Sequence, residues 1–147
     1  MTQHCDIAKS LFESGYNCAQ AVLCAFEDVT GLERDVALRL SSSFGGGIAR
    51  MREVCGAVSG GAMVLGLVYG SADPTDHAAK TAHYHRVQEF ARQFRELNGS
   101  IICRELLSGV GVQHGSDPEQ RTADYYKKRP CTELVALAAE ILDGMLI

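Results

Sequence analysis

Apolar residues recur every three or four positions along most of the chain. Ile7, Ala8, Leu11 and Phe12 form one stripe ended by Gly15, and Ala19, Val22, Leu23, Phe26 and Val29 form a second ended by Gly31. This spacing predicts two helices joined by a tight turn. Arg34 to Ser43 adds a short helix with Val36, Ala37 and Leu40 inward, until the run from Ser41 to Gly47 breaks the pattern. A glycine-dense helix is expected from about Val54 to Tyr69. Asp73-Pro74-Thr75-Asp76 then reads as a helix start, with Asp73 as cap and Pro74 in the first helical position. The long helix it opens carries Val87, Phe90, Phe94 and Leu97 on its inner stripe and stops at Asn98-Gly99. Beyond lie a short helix over 101–108, a mobile loop over 109–116, and a helix opened by Asp117-Pro118-Glu119 that runs to about Lys128. A last helix begins at Pro130, striped by Leu134, Leu137, Ala138, Ile141 and Leu142. Almost nothing alternates with period two. The expected fold is all-α, a single domain spanning 1–147, built as a compact bundle of six to eight helices with a Gly-rich central helix.

Composition narrows the options. A chain of 147 residues buries about 70% of the surface of its unfolded form, enough for a packed core without staples. Hydrophobic residues at 46% and charged ones at 22% exclude a disordered or fibrous chain, and a net charge of -4 argues against nucleic acid as a partner. The stretch from Val54 to Ala72 has no charged residue and approaches the length of a membrane span. Its glycines at 56, 60, 61, 66 and 70, with Cys55, Ser59 and Ser71, read instead as a buried helix with no membrane span. The start, Met1 to Asp6, lacks a basic region followed by an apolar run, so a cytoplasmic location is expected.

Six cysteines are too few for a secreted disulfide scaffold, and in a reducing compartment they point to metal or redox chemistry. Cys18, Cys55, Cys103 and Cys131 each fall at the predicted start of a different helix, where the macrodipole favours a thiolate. Arg50, Arg52, Arg104 and Arg129 lie near them in sequence. Cys24 shares a helical face with Gln20, Glu27 and Asp28 and is expected at the surface, whereas Cys5 shares one with Ala8 and Phe12 and reads as a core or edge thiol. No CxxC occurs, so a shared site has to be assembled by the tertiary fold. Four buried hydrophobes that happen to open helices are the plain alternative.

The segments Gly15-Tyr16-Asn17-Cys18-Ala19-Gln20-Ala21-Val22, Phe44-Gly45-Gly46-Gly47-Ile48 and Cys55-Gly56-Ala57-Val58-Ser59-Gly60, followed by single cysteines at 103 and 131, resemble the C_GCAxxG_C_C family of redox-active proteins. The resemblance covers about residues 7–142. Its four cysteines carry over onto Cys18, Cys55, Cys103 and Cys131, and it implies a redox role without giving a substrate.

Four thiolates suit an iron–sulfur cluster that transfers electrons, with zinc as the alternative metal. Gly56 and Gly60, with Gly61, would then let a cluster or another backbone approach. Two of the four cycling as a thiol–disulfide oxidoreductase is a second reading, and a structural zinc or plain helical interaction module a third. A redox partner protein and a homodimer are both compatible with the chain. Ser59 misses the G-x-S-x-G elbow, and Gly45-Gly46-Gly47 lacks a GK[ST] ending, so the latter reads as a turn or a wall of the site. His83 is expected to face inward, either as a core histidine or within reach of the cysteines. His77 and His85 read as exposed, His4 and His114 as parts of a mobile end and loop, Tyr16 and Tyr69 as packing groups, and Lys127-Lys128-Arg129 as a solvated helix end.

Overall fold

The computed structural model describes residues 2–110 and 115–146, apart from the side chains of Lys127 and Lys128. Its described part is mostly helical and holds no strand, only one isolated antiparallel bridge between Val54 and Ile102. The first helix, α1 (Gln3–Glu13), starts under Thr2, whose hydroxyl accepts from the Cys5 amide, and it buries Cys5, Ala8 and Phe12. Next comes α2 (Cys18–Ala25), buried everywhere except Gln20 and enclosed by α1, α4 (Arg34–Ser41), α5 (Gly56–Tyr69) and α9 (Cys131–Met145). Phe26 (φ -106°, ψ 26°) interrupts the stripe, so α3 (Glu27–Thr30) is a separate turn ended by Gly31. That break helps bring the described α-helices to nine, against the six to eight expected; the others are α6 (His77–Asn98), α7 (Cys103–Leu106) and α8 (Ala123–Lys128).

Several expectations are corrected. On α4 the inward residues are Ala37 and Ser41, while Val36 and Leu40 are about half exposed, at 48% and 49%. This short helix meets α2 along one narrow edge, where Gln20 donates to the Leu38 carbonyl. The same contact covers the face of α2 that sequence placed in solvent, so Cys24 is buried. The cap of α6 is Asp76, which accepts from the Ala79 amide, because Asp73 closes a turn onto Thr75 instead. Phe90 and Phe94 are buried as expected, but the last turn of α6 carries Leu97 clear of the body. The helix expected from Asp117 begins only at Ala123, capped by Thr122. Arg50 engages the carbonyls of Gly115 and Asp117, and the second of these would be the first acceptor of a helix opened by Asp117. His114 lies outside the described residues. No helix among the described residues is long and apolar enough to cross a membrane.

The glycines of α5 set how closely helices approach. A Cβ on Gly60 would lie 2.7 Å from the Ala19 carbonyl oxygen of α2, and one on Gly61 would run into the Phe90 ring of α6. Gly144 on α9 has open space where a Cβ would go. Gly61→Ala is therefore expected to destabilise by about 1–3 kcal/mol through overpacking, whereas Gly144→Ala should be neutral or stabilising by about 0.5–1 kcal/mol. Denaturant melts of the two variants check this contrast.

His4 is tied down rather than mobile. It stacks on Phe26 with ring centroids 4.1 Å apart, and its Nδ1 and Nε2 lie 2.7 Å from Asp143 and 2.9 Å from Asp28. Carboxylates only accept, so the full set of bonds requires both ring nitrogens to carry a proton. Burial opposes that charge, but the bonds to Asp28 and Asp143 and their negative charges outweigh it and raise the pKa above 6.5. The clamp's stabilisation is thus fully present below about pH 6.5, the unfolded value, and is lost as pH rises through the higher folded value. His4→Ala should lose about 2 kcal/mol at pH 5.5 and flatten the fall in stability between pH 6 and 8; an unchanged pH profile would contradict the clamp.

Candidate redox site

The local sequence places each of the four cysteines at a helix start. Asn17 and Gln20 form a reciprocal capping box: the Asn17 side chain accepts from the Gln20 amide at 2.9 Å, and the Gln20 side chain accepts from the Asn17 amide at 3.0 Å. This fixes Cys18 as the first residue of α2. Gly56 brings α5 against that turn, since a Cβ there would lie 3.1 Å from both the Ala19 nitrogen and the Cys18 Cβ. Cys55 caps α5. Its amide donates to the Ile101 carbonyl at 2.8 Å, while the Cys103 amide donates to the Glu53 carbonyl at 2.6 Å. The Val54–Ile102 bridge thereby sets the starts of α5 and α7 side by side. Cys131 opens α9 behind Pro130.

All four line one cavity of about 290 Å³, and each is only 4–9% exposed. Gly56, Gly45 and Gly46 line it too, whereas Gly60 faces α2 and does not. Gly46 to Arg50 form an unbroken left-handed turn: Gly46 and Gly47 have φ 73° and 72°, and Ile48, Ala49 and Arg50 have 28°, 48° and 66°. Arg52 follows at 63°. Such a conformation costs a non-glycine residue about 1–2 kcal/mol. The turn seats Gly47 against Cys103 and aims Arg52 at the same sulfur, with Nη1 3.6 Å from Sγ.

The thiols are not equivalent. Burial pushes Cys55 up to about 12, although the amides of Ala57 and Val58 pull the other way. Cys103 is raised by burial and partly relieved by Arg52. Cys18 and Cys131 act on one another across the cavity: that interaction, ahead of burial, holds Cys18 well up and lowers Cys131. Burial opposes ionisation of Cys131, and the charges of Arg129, Arg121 and Arg52 favour it. Cys131 is thus the sulfur that the site holds most readily as a thiolate.

Arg129 is 7% exposed, not part of a solvated helix end: it pairs with Glu119 and lies over the Tyr125 ring. Lys127 and Lys128 have side chains outside the described residues. Arg104 turns away to Glu53 and the Arg52 carbonyl. His83 neighbours Arg86 and Gly66 and does not line the cavity. Tyr69 packs under Arg86 and bonds the Met145 carbonyl. Sequence reasoning missed Arg121 and Tyr125, both of which line the cavity. Arg121 lies over the rings of Phe12 and Tyr125, and burial keeps the Tyr125 phenol protonated, up to about 12. The four-residue spacing of Arg121 and Tyr125 was the only trace of that stack in the sequence. Among the described residues no three His, Cys, Asp or Glu side chains are gathered so as to hold a single metal ion.

The family model described as "Putative redox-active protein (C_GCAxxG_C_C)" matches residues 16–145. No curated protein and no solved structure matches the chain.

In metal-free, reduced protein at pH 7 a neutral alkylating agent should label Cys131 ahead of Cys18, Cys55 and Cys103, with a reactivity midpoint below 9.0 that Arg121→Gln moves upward. Peptide mapping of iodoacetamide-treated protein reads this order, and equal labelling of Cys131 and Cys55 would contradict it.

Proposed function

Because the chain belongs to the C_GCAxxG_C_C family of redox-active proteins, we propose that Cys18, Cys55, Cys103 and Cys131 together ligate an iron–sulfur cluster that passes electrons to a partner. The observation that carries this reading is that four cysteines from four helix starts line a single cavity. The donor set is all sulfur, as such a cluster needs. When bound, the cluster supplies reversible one-electron chemistry. The chain's own part is to exclude water by burial and to offset thiolate charge with Arg52, Arg121 and Arg129. This reading places the protein in a reducing compartment such as the cytoplasm.

Cys18 and Cys131, which line the same cavity and whose pKa values are pushed in opposite directions, favour a second reading, a dithiol that loses two electrons and two protons to an oxidant and closes to a disulfide. The two separate on purification without air. Under the first reading the protein is brown and contains iron and acid-labile sulfide. Each of Cys18→Ser, Cys55→Ser, Cys103→Ser and Cys131→Ser lowers that content, while Cys24→Ser leaves it unchanged. Colourless protein that forms a Cys18–Cys131 disulfide on mild oxidation would instead support the second.

A further inference from the structure

The cysteine cavity is electrically inverted relative to the chain. Arg50, Arg52, Arg121 and Arg129 line it against one carboxylate, Glu119, in a protein of net charge -4. Glu119 is already engaged by Arg129. Arg121 donates to the Phe12 carbonyl at 2.8 Å and stacks on two aromatic rings, contacts that leave its charge unneutralised. Arg52 is 8% exposed, and its Nε has no hydrogen-bond partner. A buried donor left unpaired is unfavourable and calls for an acceptor.

Counter-charge for thiolates does not account for this arrangement by itself. Arg52 lies against the Cys103 sulfur, while Arg50 and Arg121 bond backbone carbonyls along the wall. Arg50 and Arg52 are both delivered from left-handed backbone, at φ 66° and 63°, an expense that ordinary surface arginines do not carry. The planar fork of a guanidinium matches carboxylates and other oxyanions. A cavity of about 290 Å³ restricts the choice to small ones.

We infer that the cavity binds a small anionic ligand of its own, a carboxylate or inorganic oxyanion held by Arg52 and Arg121 beside the sulfurs. This makes the substrate class of the redox centre anionic, and so rests on that centre lying in the same cavity.

The test is calorimetric titration of protein as isolated without air, in chloride-free buffer, with sodium sulfate and separately with sodium acetate. One saturable site is expected. Arg121→Gln should weaken it about ten-fold or more, the equivalent of one charge-assisted hydrogen bond, whereas Arg92→Gln on the exposed face of α6 should leave it unchanged. Should Arg121→Gln fail to fold, Arg121→Lys, which keeps the charge but loses the planar fork, is expected to weaken the same site. Absence of binding, or binding that appears only after iron and sulfide have been stripped, would overturn the inference and leave the arginines as counter-ions. Iron and sulfide analysis of the same sample reports separately on the cluster, so a loaded protein that ignores anions and an unloaded protein that binds them are distinct results.

Discussion

The cavity depends on the close approach of two helix starts. At Gly56 the first turn of α5 lies directly against the first turn of α2, where a Cβ would crowd the Phe44 carbonyl, the Ala19 amide and Cys18 at 3.0–3.1 Å. That contact brings Cys18 and Cys55 to one cavity. The antiparallel bridge just before Cys55 then adds Cys103, and α9, packed on both α2 and α5, delivers Cys131. Chain segments far apart in sequence thus present sulfur at one place, although none of them contains a local metal-binding motif.

Electrostatics gives one reason for arginine in this neighbourhood. Burial disfavours ionised sulfur, as Cys55 illustrates, so a site that works with thiolates has to supply positive charge from within. Guanidinium stays charged when buried, which ammonium does less reliably. Arg52 and Arg129 are accordingly among the few buried charged residues described. The left-handed turn over 46–50 carries Arg50 and leads into Arg52, and the irregular chain over 115–122 carries Arg121, all of which line the cavity. Both segments depart from regular structure where regular structure would have aimed arginine elsewhere.

Much of this was legible in the sequence. The helical stripes of α1, α2 and α9, and the family motif around Cys18 and Cys55, were local signals, and the four helix-start cysteines followed from caps and breakers such as Asn17, Gly99 and Pro130. What escaped was relational. The buried state of Cys24 depends on α4 lying over α2, and the role of His4 depends on Asp28 and Asp143, residues 24 and 139 positions away. The late start of α8 goes with Arg50 reaching across to the Asp117 carbonyl, which helical propensity would have assigned to the helix itself. Hydrophobic spacing carries no information about such pairings.

X-ray absorption at the iron edge, on protein purified without air, tests the claim that the four sulfurs act as one centre most directly. The account predicts an all-sulfur coordination shell with a second iron as near neighbour. Nitrogen or oxygen ligands, an isolated metal ion, or no iron at all would contradict it.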